Sequence, residues 1–349
     1  FRRARRDGSR SGERILKDCG PFWLLLPVAI LLGMIGPAAA QEEAIPPDDR
    51  WGLSLVWEND TVADTDRHYT NGVMASLLSP QNETLGLPIE LWDILPGHGE
   101  DDKRRVALHV GQSMFTPEDI SVEALIPDER PYGGWLHGGI SLVSETRNQL
   151  RSLTLDLGVV GPYSLGDETQ TFVHELVGAG EPKGWGNQIK NEPAILVAYQ
   201  QKWRFHKALL PDWDIGVDIM PHVTGAAGNV HTFAGGGATL RLGADLPSDF
   251  GPLFNRPGEV GATLFRPQRG FSWYLFAGTE GRYVLRNIFL DGNTFRDSHS
   301  VDKKPFVADL QMGLALEFQQ VRLSYSFVMR SPEQEESDRF GSLNLTFKF

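Results

Sequence analysis

The chain has 349 residues, with 33 Lys and Arg against 45 Asp and Glu, a formal charge of −12 at pH 7, 22% charged residues and one cysteine. That balance is too ordinary for a disordered chain, too polar for a bundle of membrane helices, and too acidic for a protein that neutralises nucleic-acid phosphates. With Cys19 alone, a disulfide framework, a cysteine-ligated zinc site and a thiol redox pair are excluded.

In chain order, residues 1–20 carry seven basic side chains, from Arg2 to Lys17, and precede the charge-free stretch from Pro21 to Gly36. The stretch contains Phe22-Trp23-Leu24-Leu25-Leu26 and runs into Pro37-Ala38-Ala39-Ala40. A basic region, an apolar region and a small-residue cleavage site predict a secretory signal peptide over 1–40, cut between Ala40 and Gln41. Because the chain begins with Phe1 and not Met, residues 1–15 are given no structural meaning. Cleavage would take Cys19 with it, leaving an exported, acidic, cysteine-free chain. Residues 41–50 then read as a short polar periplasmic lead-in, and 51–349 as one domain. No further apolar run of about 18 residues follows, so the exported chain is either a soluble periplasmic protein or an outer-membrane β-barrel.

Strand patterning decides between these. A transmembrane barrel needs segments of roughly 10 residues that are apolar at one parity and small or polar at the other. Leu153, Leu155, Leu157 and Val159 interleave with Ser152, Thr154, Asp156 and Gly158. Leu310, Met312, Leu314, Leu316 and Phe318 interleave with Gln311, Gly313, Ala315 and Glu317, and Val321, Leu323, Tyr325 and Phe327 with Arg322, Ser324 and Ser326. Charges at the second parity cannot face hydrocarbon, so that face must look into a polar lumen. The pattern predicts strands at about 51–58, 70–79, 105–114, 134–145, 150–160, 193–205, 212–224, 232–245, 271–286, 306–318, 320–331 and 340–349. The fold class is therefore all-β, a twelve-stranded antiparallel transmembrane β-barrel, the even number suiting closure. Leu343, Leu345, Phe347 and a terminal Phe349 alternate at the end, as in outer-membrane barrels generally. Trp51, Trp57, Trp135, Trp203, Trp213 and Trp273 fall near strand ends, where an interfacial girdle would place them. A soluble β-sandwich also alternates, but it has no reason to end its strands in tryptophan.

With the N-terminus in the periplasm, the loops after odd strands are extracellular. Loops 59–69, 115–133 and 161–192 then share one rim. In the last of these, residues 167–178 (DETQTFVHELVG) read as a short helix with Phe172, Val173, Leu176 and Val177 as its apolar positions, lying against the rim or the outer leaflet. His174 stands on that helix beside Glu175. To the same rim the topology brings Asn59 and Asp60 from the end of strand 1, Tyr69-Thr70-Asn71 from the start of strand 2, and Gln112 from the end of strand 3. Asn59, Asp60, Asp64 and Asp66 offer hard oxygen donors suited to Ca²⁺ and not to zinc or copper, although not at EF-hand spacing. A solvated acidic hairpin tip is the plainer reading of the same residues. His68 adjoins this loop, while His109, His137 and His222 fall inside strands and read as lumen-facing polar residues. There is no G-x-S-x-G, H-E-x-x-H, Walker A or dinucleotide fingerprint, and Gly235-Gly236-Gly237 reads as a closely packed strand.

These residues resemble a known family, the outer-membrane lipid A 3′-O-deacylases of Gram-negative bacteria. The resemblance rests on Glu58-Asn59-Asp60, Tyr69-Thr70-Asn71-Gly72, Gly111-Gln112-Ser113-Met114-Phe115-Thr116-Pro117, and the stretch from Ile126 to Trp135 (IPDERPYGGW). It continues through Gly158-Val159-Val160-Gly161-Pro162, His174-Glu175-Leu176-Val177-Gly178 and Gly184-Trp185-Gly186-Asn187-Gln188-Ile189, in order, over about 51–205. It implies Ca²⁺-dependent hydrolysis of the 3′-linked acyloxyacyl ester of lipid A at a site between the barrel wall and an extracellular-loop helix. On the family pattern Asn59, Asp60, Thr70 and His174 match the active-site residues. His174 is expected to activate the attacking water. Asp60, with Asn59, is expected to hold Ca²⁺, and Thr70 and Asn59 to donate or orient at the tetrahedral intermediate. A lysine that the family places after the third strand has no counterpart, since that segment reads Glu118-Asp119-Ile120-Ser121-Val122. The expected partners are lipopolysaccharide as substrate and the outer membrane, with no nucleic acid and a monomeric barrel. Two other readings are an outer-membrane phospholipase, whose His-x-Ser-Asn is absent here, and a barrel or channel without catalysis.

Overall fold

In a computed structural model, which describes residues 48–59, 68–178, 180–251, 258–259, 264–266, 270–334 and 337–349, the two parities of each strand separate onto opposite faces of the wall. In the strand Gln149–Val160, Leu155 and Leu157 are 38% and 56% exposed, whereas Ser152, Thr154 and Asp156 are buried. A water-soluble fold would show the reverse. Apolar side chains outward and polar ones inward are what a barrel in hydrocarbon requires.

The strands are β1 (Gly52–Asn59), β2 (His68–Leu78), β3 (Lys103–Thr116), β4 (Gly133–Glu145), β5 (Gln149–Val160), β6 (Glu192–Trp203, resuming as Phe205–Leu210), β7 (Ile215–Gly228), β8 (His231–Ala244), β9 (Phe271–Asn287), β10 (Phe306–Phe318), β11 (Val321–Arg330) and β12 (Asp338–Lys348). The two pieces of β6 keep one register against β7, with Lys202 opposite His222 and Phe205 opposite Ile219. They are therefore a single strand interrupted at Arg204. All pairings are antiparallel between neighbours. β1 meets β12 from Gly52↔Lys348 to Asn59↔Gly341, and β6 meets β7, so the ring of twelve closes and leaves no edge.

Strand 6 runs five residues beyond the predicted end, to Leu210, and strand 7 starts at Ile215 and not 212. The cause is local. Phe205–Leu210 projects past the last β5 partner of β6 and pairs only with β7. A bulge between Ala208 and Leu210 leaves Leu209 and Leu210 both exposed, so alternation fails. Trp135 also departs from expectation. Opposite Ser113 in the register, it lies on the inward parity, is buried, and stacks on His137 at 3.9 Å, so it belongs to the lumen and not to a girdle. Trp57 and Trp213 are exposed, as a girdle requires.

The lumen is filled. At one end Phe115, Trp135, Val160, Ile189, Ile288 and Phe289 form an apolar plug, with Phe115 and Phe289 stacked at 3.9 Å. From the opposite end, described residues of the β8–β9 connection enter the barrel. Asp249 accepts from Arg241 and Arg322, Glu259 accepts from Lys202 at 2.8 Å, and Arg266 donates to Glu145 at 2.9 Å. His222 lies inside the lumen as expected, 2.8 Å from Glu280. Gly237 of β8 packs against β9, where a Cβ would come within 2.8 Å of the Glu280 Cα.

The predicted signal peptide and residues 41–47 of the lead-in lie outside the described residues. Asp48 is buried at the end opposite the plug, accepting from Arg105 at 2.9 Å and Lys348 at 2.8 Å. Burial by itself would raise the Asp48 carboxyl, but the Lys348 and Arg105 cations outweigh it and hold the group below the ordinary carboxylate value. A depressed carboxylate contributes stability that is complete above its unfolded-state pKa of about 4 and is lost as pH falls through the folded value. Asp48→Asn is therefore expected to reduce barrel stability at neutral pH and to flatten its loss below about pH 4. Urea melts of detergent-solubilised barrel at several pH values measure this, and identical acid dependence in the variant would refute the assignment.

Candidate active site on the outer wall

The helix predicted at 167–178 forms as α1 (Gly166–Val177), stopped by Gly178 at φ 73°, whose N–H bonds back to the His174 carbonyl. Its amphipathicity is turned around relative to a soluble helix. Gly166, Gln170 and His174, at i, i+4 and i+8, make the buried stripe, whereas Phe172 and Leu176 are 65% and 75% exposed. A polar stripe faces protein and an apolar one faces away, the arrangement expected of a helix lying in the lipid interface. Burial and the neighbouring Glu168 push the Asp167 carboxyl in its first turn upward.

What α1 covers follows from strand parity. Leu55 and Trp57 of β1 and Val73 of β2 are exposed on the outer wall, and Asn59 and Asn71 share their parity. The pairings Asn59↔Asn71, Asn71↔Met114 and Met114↔Gly134 form one row across the outer face of β1 to β4 at its rim. Asn59 and Asn71 are nevertheless only 9% and 5% exposed, and Met114 is fully buried. Polar side chains on a lipid-facing parity, shielded at the rim, are the anomaly that marks the site.

The segment leading into α1 lies on this row. Gln112, one row below, donates from Nε2 to the Ser164 carbonyl at 2.6 Å. Gly134 lets the chain come close. A Cβ there would overlap Ser164 and stand 3.4 Å from the Gly166 Cα. On the other flank Trp185 Nε1 donates to Gln170 Oε1 at 2.7 Å, and the Trp185 and Tyr132 rings are 5.0 Å apart. The outer wall at Gln112 and Gly134 on one side and Trp185 of its own loop, backed by Tyr132, on the other thus hold α1 in place.

His174 is buried, and its Nδ1 lies 2.5 Å from the Gly180 carbonyl oxygen. A carbonyl only accepts, so Nδ1 carries the proton and Nε2 of the neutral ring keeps the lone pair. That tautomer leaves Nε2 as a base. Thr70 is the extra residue of a bulge in β2, since Tyr69 faces Phe115 while Asn71 faces Met114. Bulges at barrel rims commonly re-aim a side chain toward a site. The structure thus gathers Asn59, the Thr70 backbone and the His174 helix at one rim. Asp60, Asp64 and Asp66 lie outside the described residues.

Gln170 was not singled out from sequence, although its position four residues before His174, opposite Phe172 and Leu176, carried the signal. Gly134 gave none, because only the fold shows what passes over it. Directly beneath the polar row, the outer wall holds an apolar groove of about 390 Å³ lined by Leu55, Val73, Ala75, Val110, Gln112 and Leu136. Ala75, between Leu55 and Val110 in the register, supplies its depth.

The family model described as "Outer membrane protein LpxR" matches residues 24–349. Among solved structures, LpxR from Salmonella typhimurium is similar at a TM-score of 0.69 and 22% identity, over 85% of this chain and 100% of that one. The β domain of the Bordetella autotransporter BrkA is similar at 0.44 and 8%, over 87% and 99%. An outer-membrane channel from Pseudomonas putida F1 is similar at 0.41 and 12%, over 90% and 100%. No curated protein matches the sequence. Among the described residues no helix is long and apolar enough to cross a membrane.

Proposed function

Since the chain belongs to the LpxR family of outer-membrane proteins, we propose that it is a lipid A 3′-O-deacylase whose site opens toward the outer leaflet on the extracellular side. The observation that carries this reading is the row of buried polar groups on the lipid-facing wall, capped by the helix that holds His174 and underlain by an apolar groove. An amphiphile can present an ester there while its chains stay in the leaflet. A soluble ester has no use for the groove, and a lumenal solute would not meet the site at all.

In the proposed reaction His174 Nε2 takes a proton from water as the water oxygen bonds to the ester carbonyl carbon. The tetrahedral intermediate collapses with cleavage of the bond to the sugar oxygen. The proton held by His174 passes to that oxygen, so the products are the free 3′-hydroxyl of the sugar and the released acyloxyacyl fatty acid. Asn59 and Thr70 orient or donate at the intermediate, and the hydrogen bond to Gly180 keeps the ring in its reactive tautomer. No serine or cysteine nucleophile enters, so no acyl-enzyme forms. Asn59 and Asn71 bring hard amide oxygens to the rim, and Asp60 directly follows Asn59 in the sequence. An oxygen donor set of this kind fits Ca²⁺, with Asp60 and Asn59 as its holders, and bound Ca²⁺ would supply Lewis-acid polarisation of the carbonyl.

The test is mass spectrometry of lipid A from a Gram-negative host expressing the chain. The expected result is loss of the mass of one acyloxyacyl group with the wild-type chain. Unchanged lipid A from a folded, surface-located barrel supplied with Ca²⁺ would overturn the reading. In the same assay Ala75→Phe, which fills the groove between Leu55 and Val110, is expected to slow deacylation by about tenfold or more. A wild-type rate in that variant would remove the groove from the substrate path. The ion-paired, plugged lumen favours this reading over a channel, and low conductance in planar bilayers is its corollary.

A further inference from the structure

On the inner face of the wall, β3, β4 and β5 carry a second constellation separate from the polar row. His109-Val110-Gly111, His137-Gly138-Gly139 and Asp156-Leu157-Gly158 repeat one pattern, a ligating residue followed two positions later by glycine. The register sets these in a checkerboard. His109, Gly139 and Asp156 form one row, and Gly111, His137 and Gly158 the next. Each glycine opens the space that a neighbouring ligand fills. A Cβ at Gly139 would lie 2.6 Å from His109 Nε2 and overlap the Asp156 carboxylate, and one at Gly111 would lie 2.9 Å from His137 Nε2.

His109 Nε2 stands 2.5 Å from Asp156 Oδ1, and His137 Nδ1 stands 3.9 Å from the same oxygen. The ligating atoms of all three residues fall within 4.8 Å of one another, and all three side chains are more than nine-tenths buried. Three of their polar atoms, His109 Nδ1, His137 Nδ1 and Asp156 Oδ2, have no hydrogen-bond partner. A cavity of about 120 Å³ adjoins the two imidazoles.

We propose that His109, His137 and Asp156 bind a first-row transition-metal dication, Zn²⁺ by preference, inside the barrel. Two imidazoles and one carboxylate are a borderline-soft donor set that suits zinc and not Ca²⁺, and three protein ligands leave a further position open to the cavity. Around a tetrahedral ion at about 2.0–2.1 Å, neighbouring ligand atoms lie roughly 3.3 Å apart, within the spread these three atoms already have. Held by His109 Nε2, His137 Nδ1 and the Asp156 carboxylate, the ion gives the unpartnered His137 Nδ1 a partner and ties β5 to β3 and β4, the two strands of the cluster that the polar row crosses on the outer face.

The experiment uses the barrel purified in detergent through a tag that carries no histidine, stripped with chelator and titrated with Zn²⁺ and, separately, Co²⁺. One equivalent of Zn²⁺ bound by the wild type, and by His174→Ala, is expected, with Co²⁺ giving the visible bands of a low-coordinate site. His109→Ala and His137→Ala are each expected to weaken binding by about a hundredfold or more, with heat-modifiability on gels showing that the barrel remains folded. Retention of the equivalent in both variants, or its loss in His174→Ala, would overturn the proposal. Should the ligand variants fail to fold, zinc-edge X-ray absorption of the wild type decides. Scattering from two imidazoles supports the site, and its lack, or no bound zinc, refutes it.

Discussion

Replacing His174 by alanine is expected to lower lipid A deacylation by about 10²- to 10⁴-fold, the usual contribution of a positioned general base, while the barrel stays folded. The expectation of an unperturbed fold rests on where His174 sits. It belongs to a loop helix and not to the wall, and its Nδ1 bonds only to Gly180 six residues on. None of the ladder pairings that close the ring involves it. The large effect rests on the tautomer, because the Gly180 carbonyl fixes the proton on Nδ1 and leaves Nε2 free to accept one. His174→Gln separates the two roles. A glutamine amide can keep a hydrogen bond to Gly180 but is no base, so it should be as inactive as alanine. Lipid A mass spectra, scored against heat-modifiable barrel on gels, measure both. Wild-type deacylation in either variant would remove His174 from the chemistry.

Much of the barrel was legible because a transmembrane strand exposes its rule residue by residue. Leu155 and Leu157 could not share a face with Asp156, and the structure sends them to opposite sides of the wall. Where that rule lapses, sequence reading lapsed too. Phe205–Leu210 is a one-sided ladder with a bulge, so its side chains obey no alternation. Trp135 was misplaced because a tryptophan near a strand end was weighed as an interface residue, when its parity, one away from Leu136, already put it with His137. At the site, loop topology and the family resemblance pointed to His174 and Asn59. Neither could say that Asn59 occupies the outward parity, since that follows from Trp57 and Leu55 only once the wall is known to face lipid. The position of the site on the outside of the barrel is thus a property of register, and the sequence carries it only through parity counting from Leu55 to Asn59.

The second large effect is expected from Gly134, a residue with no chemistry. It sits on the outward parity of β4, and the chain entering α1 passes directly over it, with Ser164 overlapping the space of a Cβ and the Gly166 Cα 3.4 Å away. Gly134→Ala can be met by rotating the Ser164 hydroxyl, because the atom it displaces is the end of a short side chain, and a loss of only a few-fold is expected. Gly134→Val adds two γ-carbons whose path leads into the Gly166 backbone, and Gly166 cannot yield toward Trp185, whose ring already lies 2.7 Å from where a Cβ of Gly166 would be. The helix must then lift off the wall. A shift of about 1 Å in a catalytic group costs on the order of a hundredfold in rate, so Gly134→Val should approach the His174→Ala phenotype. The strand itself tolerates valine, a good β former, and the barrel should remain heat-modifiable. Gly138→Ala supplies the control. It shares β4 and the outward parity, but a Cβ there meets only the His109 carbonyl oxygen at an ordinary 3.4 Å, and activity should be unchanged. Near-wild-type deacylation by Gly134→Val would mean that α1 need not seat on the wall for catalysis, and that the polar row beneath it is not where the ester is cut.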